Sequence, residues 1–175
     1  SGFHLLSKTA ADTLDFTSGK INRGSKMIID ATTGKNNQNN LTAIPMPGNL
    51  SEILPNVKGY RFISNTLLVI ATKNNGRDTL ISALQNPLLS KIKIIVVVSR
   101  DVDIYDDENL IWGIFTRFDA VKDVMFSSSK FVNIAPVYSG VMGIDATWKE
   151  GYQKPLVMSE DIIKKVDNNW HLYTR

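Results

Sequence analysis

The sequence predicts an α/β fold of three layers, in which helices flank a mainly parallel β-sheet. Two uninterrupted apolar runs, at 66–72 and 92–98, have the length and the β-branched composition of strands that are buried on both faces. A segment with apolar residues at helical spacing follows each run. This alternation is typical of right-handed crossover connections between parallel strands.

Length and composition limit the kind of domain and the kind of site. A chain of 175 residues, 43% of them hydrophobic, can bury a core as one globular domain. It contains no cysteine, which excludes disulfides, a thiolate nucleophile and a cysteine-bound metal. The net charge is only +3 and the basic residues are interspersed with acidic ones, so nucleic acid is not expected as a partner. The absence of a long apolar run and of a secretory signal pattern predicts a cytoplasmic location without integral membrane contact.

The N-terminal third is predicted to lie outside the main body. Residues 1–40 end in a polar run of Lys, Asn and Gln, and three prolines follow between positions 45 and 55. Such a stretch cannot form a core helix or a central strand, because proline breaks the backbone hydrogen-bond ladder. We therefore expect a linker at 41–56 that joins an N-terminal piece, 1–40, to a main body at 57–175.

Within the body, strands and helices alternate. Strand 66–72 leads to a helix at 77–84, strand 92–98 leads to a helix at 107–118, and a third, shorter strand begins at 124–126. The second helix would present these apolar residues on one face: Leu110, Ile111, Ile114, Phe115 and Phe118. The pattern of 127–154 is irregular and predicts no further element.

A C-terminal helix is predicted at 159–173, with Ser159 as its N-cap. Its apolar stripe consists of Ile162, Ile163, Val166 and Trp170. A tryptophan on a terminal helix is a common interface anchor. The stripe could equally cover the protein's own sheet, and the residues alone leave both possibilities open.

The motif Met-x-Ile-Asp-Ala-Thr occurs twice, at 27–32 and 142–147. The second copy follows the strands of the body, whereas no comparable strands and helices precede the first. We therefore expect residues 1–40 to be the end of a preceding copy of the same module in a longer parent protein, with chance similarity as the alternative. Within the motif, Asp145 is expected to accept backbone N–H groups and fix a turn, because no partner for a general base is evident.

Carboxylates directly after strand 92–98 raise the possibility of phosphoryl transfer. A strand followed by Asp-x-Asp, here Asp101 and Asp103, is how phosphatases of the haloacid-dehalogenase type present a nucleophile and an acid–base residue around Mg²⁺. The preferred alternative is that Asp106 and Asp107 cap the next helix, where carboxylates favour the positive end of the helix dipole. The later Asp-Asp pair that such phosphatases need is missing.

Other candidate sites give weaker signals. Asn74-Asn75-Gly76 precedes a helix and could offer N–H groups to an anion, but the complete glycine-rich phosphate motifs are absent. His4 and His171 lack a third metal ligand nearby in sequence, and Trp112 is expected in the core or at an interface.

Four motifs occur in a fixed order in the body. They are Asp101-Val-Asp103-Ile-Tyr-Asp106, then Leu110 to Asp119 with Trp112 and Arg117 inside it, then Lys122-Asp123-Val124, then Ser139 to Trp148 with Asp145 and Thr147 inside it and Pro155 beyond. In this order and spacing they resemble the C-terminal domain of the UbiD-type decarboxylases, the 3-polyprenyl-4-hydroxybenzoate carboxy-lyases and their relatives. The resemblance extends over about residues 66–172.

The resemblance implies a UbiD C-terminal-domain-like fold and a parent carboxy-lyase acting on aromatic or unsaturated carboxylic acids, with ubiquinone or menaquinone biosynthesis as its setting. That family uses prenylated FMN with a divalent metal and potassium, held in an upstream catalytic domain whose motifs are absent here. The resemblance implies that this chain is a structural and oligomerisation module, inactive and without a cofactor of its own. Its partners would be the upstream domain and a second copy of the chain. The motif residues would then be structural: Asp101, Asp103, Asp106, Trp112, Arg117, Asp119, Asp145 and Thr147.

Overall fold

The computed structural model of the protein describes residues 2–10, 23–30, 48–152 and 158–174. The strands in these segments are β1 (Gly2–Ala10), β2 (Arg23–Asp30), β3 (Val57–Ile63), β4 (Leu67–Thr72), β5 (Ile94–Ser99), β6 (Val124–Val132) and β7 (Ala135–Ala146). The helices are α1 (Leu50–Ile53), α2 (Gly76–Gln85), α3 (Asp107–Phe115), α4 (Glu160–Asn168) and α5 (Trp170–Tyr173), and a short 3₁₀ turn lies at Pro87–Leu89.

Five strands form the main sheet in the order β3-β4-β5-β7-β6. The three central strands, β4, β5 and β7, run parallel, whereas β3 and β6 pair antiparallel at the two edges. The α/β class with flanking helices is therefore confirmed, but the sheet is mixed and only its centre is parallel. The predicted segments 66–72, 77–84, 92–98 and 107–118 correspond to β4, α2, β5 and α3.

Successive side chains of each central strand point to opposite faces of the sheet, so the core consists of two clusters, one on each face. In β5, Ile95 and Val97 pack in the cluster that contains α1 and α2, whereas Val96 and Val98 pack in the cluster that contains α3. Continuous β-branched runs are needed because both faces of these strands are covered. On α3, Ile111 and Phe115 are exposed, so the predicted single apolar face is only partly buried.

The prediction of an irregular segment at 127–154 was wrong, because β6 and β7 form a long hairpin there. Asn133, in the left-handed region at φ 57°, lies in the two-residue turn between them. The outer half of the hairpin is exposed, so its sequence shows no alternation of buried and exposed residues. The third parallel strand is consequently β7, and the strand beginning at 124 is an antiparallel edge.

The predicted linker at 41–56 contains part of the core. Asn49 accepts a hydrogen bond from the Ser51 N–H at 3.2 Å and caps α1. The side chains of Leu50 and Leu54 are buried in the cluster beneath α2. The packed body thus begins before residue 57, while the division of the parent protein into domains stays a prediction.

The C-terminal helix is interrupted at Asn169, which separates α4 from α5. Ser159 occupies the N-cap position of α4, but its side chain makes no capping hydrogen bond. No residue of α4 is buried, and Ile162 and Ile163 are 46% and 45% exposed. Among the described residues, no helix has the length and apolar character needed to cross a membrane.

Candidate functional site

The carboxyl ends of β4, β5 and β7 border a cleft of about 690 Å³. Its wall consists of the turn at 72–78, the residues at 145–149, and Ser99, Lys122 and Asp123. Ligands of open α/β sheets usually bind at this edge, because the loops that follow parallel strands converge there. The cleft is therefore the candidate functional site.

Lys149 holds the centre of this edge together. Its ammonium lies 3.4 Å from Asp123 Oδ2 and 3.7 Å from Asp145 Oδ1. It also donates hydrogen bonds to the carbonyl oxygens of Asp145 at 2.8 Å, Arg117 at 3.1 Å and Thr147 at 3.1 Å. Five oxygens thus surround one ammonium, which ties the loop between α3 and β6 to the end of β7.

Asp145 fixes the end of β7 through its own side chain. Its Oδ1 accepts hydrogen bonds from the Thr147 N–H at 3.1 Å and the Thr147 hydroxyl at 2.5 Å. Asp145 was expected in an irregular segment but lies within β7. It accepts a backbone hydrogen bond, as predicted. The Thr147 side chain then contacts Gly76, where an added Cβ would lie 2.2 Å from Thr147 Cγ2. Glycine at the start of α2 is what allows this close approach.

Asp123 is a deeply buried carboxylate of the cleft, with a side chain 4% exposed, as is that of Asp145. Burial raises the pKa of Asp123 above the ordinary value of 3.8, although the Asp119 N–H and the Lys149 ammonium favour the charged form. Its Oδ2 accepts the hydrogen bond from that N–H at 2.8 Å. Arg77 approaches from α2, 3.9 Å from Asp123 Oδ1 and hydrogen-bonded to the Lys122 carbonyl at 3.0 Å.

Asp101 and Arg117 form a bidentate ion pair beside the cleft. The two guanidinium nitrogens lie 2.9 and 2.8 Å from the two carboxylate oxygens. The hydrogen bond from Arg117 is the largest influence on the Asp101 carboxyl and lowers its pKa. The guanidinium lies 5.4 Å from the centroid of the Trp148 ring, and the Trp148 N–H donates to Ser99 Oγ at 2.7 Å. The carboxylate that a phosphotransferase would use as a nucleophile is thus engaged by a buried cation.

The other predicted acidic residues have structural partners. Asp106 Oδ1 accepts from the Asn109 N–H at 2.8 Å as the N-cap of α3, in agreement with the capping interpretation. Asp103 Oδ1 accepts from the Tyr105 N–H at 2.9 Å. Asp107 forms an ion pair with Arg61 at 2.7 Å.

Asp119 connects the body to the N-terminal hairpin. Its Oδ1 accepts hydrogen bonds from the Ser25 hydroxyl and from the Val121 N–H, the latter at 2.9 Å. Burial alone would raise the pKa of Asp119, but these hydrogen bonds and the nearby Lys122 lower it. Trp112 lies away from the cleft on α3 and is 55% exposed.

The described residues do not fit a divalent metal or a flavin. No three of their His, Cys, Asp or Glu side chains converge, and the Lys149 ammonium already lies between the carboxylates of Asp123 and Asp145. A flavin ring prefers an apolar slot, whereas Trp148 is the only large apolar side chain in the cleft wall given by these residues. The exposed cations Lys73 and Lys122, beside the predicted Asn74-Asn75-Gly76 segment, suit a small anion.

Sequence reasoning gave no role to the two residues that organise the site: Asp123 stood only within a family motif, and Lys149 was not singled out. They are separated by a β-hairpin, and no local pattern predicts that they meet. The spacing of Asp145 and Lys149 was a possible signal, since they are four positions apart, one in the buried end of β7 and the other just after it.

Comparison with known proteins identifies relatives for most of the chain. Residues 49–146 match the family described as the 3-octaprenyl-4-hydroxybenzoate carboxy-lyase C-terminal domain. A protein of Chlamydia pneumoniae, named as one of the subunits of a 4-hydroxybenzoate decarboxylase, is 29% identical over 170 residues, covering 97% of this chain and 28% of that protein. An uncharacterised protein of Chlamydia trachomatis serovar D is 26% identical over 171 residues, with the same coverage of 97% and 28%.

A solved structure shares the fold. Vanillic acid decarboxylase of Sedimentibacter hydroxybenzoicus in its closed form superposes with a TM-score of 0.55 at 21% identity, over 72% of this chain and 30% of that one. The present chain therefore spans less than a third of each of these proteins.

Proposed function

Since this chain belongs to the UbiD family of 3-octaprenyl-4-hydroxybenzoate carboxy-lyase C-terminal domains, we propose that it is a structural and assembly module of a decarboxylase and is not catalytic alone. The observation that carries this proposal is that the charged side chains which organise the cleft and its border are held by partners within the chain. Arg117 is paired with Asp101, Asp145 with Thr147, and the ammonium at the centre of the cleft with five oxygens. Groups held in this way position loops and are not available as a nucleophile or a base.

We propose that the reaction belongs to a separate catalytic domain or subunit that acts on aromatic or unsaturated carboxylic acids. The name of the Chlamydia pneumoniae relative, which refers to a 4-hydroxybenzoate decarboxylase, supports this substrate class. Prenylated FMN, a divalent metal and potassium would then bind to that partner. A cytoplasmic location and a role in quinone biosynthesis are part of the same proposal.

Calorimetry tests the absence of a cofactor site. Titration of the 175-residue chain with prenylated FMN, and separately with Mn²⁺, should give no saturable heat. A control titration with a complete UbiD-type decarboxylase shows that the ligands are active. Saturable binding of either ligand to the chain would overturn the proposal.

The alternative of an Mg²⁺-dependent phosphotransferase has no supporting observation. Asp101 is held by Arg117, and Asp103 caps the turn at Tyr105. We expect no Mg²⁺-dependent hydrolysis of an aryl phosphate by the chain. Hydrolysis that disappears in Asp101→Asn would revive this alternative.

We also propose that α4 and α5 contribute to a homodimer interface. Their apolar side chains are exposed, with Ile162 at 46%, Ile163 at 45% and Trp170 at 57%, and Val166 is only partly buried. A two-fold pair would bury the same stripe on both copies, which offers these side chains a partner.

Sedimentation tests the dimer with a matched pair of variants. The double variant Ile162→Ser, Ile163→Ser should yield a folded monomer, and so should deletion of residues 159–175. Lys164→Ser, on the same helix but with a side chain 72% exposed, should leave the dimer intact. A dimer that survives the first two changes would contradict this assignment.

A further inference from the structure

Both copies of the repeated motif lie on the second strand of an antiparallel hairpin. The residues Met-x-Ile-Asp occupy 27–30 in β2 and 142–145 in β7. In each hairpin the Met-x-Ile part of the motif pairs antiparallel, without interruption, with a strand that precedes it in the chain, β1 or β6. The register shifts on the N-terminal side of the motif methionine in both, with the extra residue on β1 in the first hairpin and on β7 in the second. The two copies therefore share their antiparallel pairing as well as their sequence.

The two motif strands differ in what lies on their other edge. β7 pairs in parallel with β5, so that Ile144 lies opposite Val96 and is 6% exposed. β2 has β1 as its single neighbour among the described residues, and Ile29, the counterpart of Ile144, is 52% exposed. Ile28 is 51% exposed as well. The same motif is thus covered in one place and open in the other.

The described strands of the chain cannot supply the missing neighbour in the way that β5 does. β4, β5 and β7 each have two neighbours already. The outer strands β3 and β6 are antiparallel edges, whereas the neighbour of the covered motif is a parallel, β-branched strand. A strand that pairs with the open edge of β2 as β5 pairs with β7 would therefore come from outside these described strands.

We propose that β2 and β1 complete the sheet of a preceding copy of this module, whose β5-like strand pairs in parallel with β2. The backbone supports this orientation. The Met142 N–H donates to the Lys93 carbonyl at 3.0 Å, toward β5, while the Asp145 N–H donates to the Asp123 carbonyl on the β6 side. Because strand N–H groups alternate in direction, equivalent pairing of the two motifs would turn those of Met27 and Ile29 toward the open edge of β2.

The hairpin also has a fixed place on the body that follows it. The Ser25 hydroxyl donates to Asp119 and accepts from the Val121 N–H at 3.3 Å, and Met27 packs against the α3-side cluster. The preceding module would therefore lie next to the loop at 119–121. This inference concerns the architecture of the polypeptide and does not depend on the decarboxylase assignment.

A duplication built from the chain itself tests the proposal. A second copy of residues 48–123 is joined directly to Phe3, so that β1 and β2 follow an upstream β5 as β6 and β7 do in the body. Amide hydrogen exchange is measured in this fusion and in the original chain. Exchange at Met27 and Ile29 should slow by on the order of 100-fold in the fusion. Ile28, whose N–H faces β1, should change little and serves as the internal control.

A proline variant of the added copy is the control, and two outcomes would overturn the proposal. Val96→Pro in the added copy alone should abolish the slowing, because proline cannot pair within a central strand. The proposal is overturned if Met27 and Ile29 exchange as fast in the fusion as in the original chain. It is also overturned if the added segment stays unfolded, since a body that this hairpin completes should fold.

Discussion

Replacing Lys149 with methionine should destabilise the fold strongly, because the change removes the cation between two carboxylates and retains an unbranched apolar stem. The Lys149 side chain is 25% exposed, and those of Asp123 and Asp145 are each 4% exposed. Removing one partner of a buried ion pair typically costs about 3–5 kcal/mol. Partial exposure of the ammonium places this case at the lower end, so we expect a loss of about 3 kcal/mol.

Urea unfolding, followed by circular dichroism at about pH 7, measures this loss. With a slope of about 2 kcal/mol per molar urea, the midpoint should fall by about 1.5 M. The matched control is Lys164→Met, which removes a lysine whose 3.8 Å partner Glu160 is also exposed, with side chains 72% and 88% exposed. That variant should change stability by less than about 0.5 kcal/mol. Equal midpoints for the two variants would refute the assignment of a structural role to Lys149.

The pH dependence provides a second check on the same cluster. The pKa of Asp123 is raised by burial, so the stability associated with its neutral form is present at low pH and lost as pH rises through the raised value. Without Lys149, the ionised form of the buried Asp123 carboxylate destabilises the folded protein even more. The difference in the free energy of unfolding between the original chain and Lys149→Met should therefore be largest near neutral pH and shrink as pH falls toward the acid range. A difference that grows on acidification would contradict this account.

Two further changes test the surroundings of the cleft. Asp101→Asn should cost about 1 kcal/mol at neutral pH, a value kept low because the carboxylate is 53% exposed. Since Arg117 lowers the pKa of Asp101, the stabilisation is present above the ordinary value of 3.8 and is lost as pH falls through the lowered one. Urea midpoints of the two proteins should therefore converge in acid, and a constant gap would contradict the ion-pair explanation. Gly76→Ala should cost about 1–3 kcal/mol by overpacking against Thr147, while Gly48→Ala, with nothing within 4 Å of the added Cβ, should be nearly neutral. Adding Thr147→Ser, which removes the methyl group 2.2 Å from that Cβ, should recover part of the loss measured by thermal unfolding.

Local sequence predicted the elements whose hydrophobic pattern is complete within a few residues. β4 and β5 are covered on both faces, so their apolar runs are continuous and their type is evident. β7 could not be recognised in this way. Its first six residues are exposed and its last six are buried, and no single period describes both halves. The parallel centre includes β7 and not β6 because β7 pairs with β5. The residue pattern of a single strand carries no information about which strand pairs with which.

The same distinction applies to the candidate site. The capping role of Asp106 was predictable, because an N-cap and the N–H group that donates to it lie within three positions of each other. The pair of Asp101 and Arg117 spans 16 residues, and that of Asp123 and Lys149 spans a complete hairpin. Such pairs are fixed by the topology of the sheet, so their partners became evident only in the folded chain.

A decarboxylation assay tests most directly the claim that this module is not catalytic alone. The 175-residue chain is supplied with prenylated FMN, Mn²⁺ and K⁺, and CO₂ release from 4-hydroxybenzoate is measured against a protein-free control. Since the charged residues that organise the cleft are held by partners within the chain, we predict no release above that control. Release above the control by the unmodified chain would contradict the account.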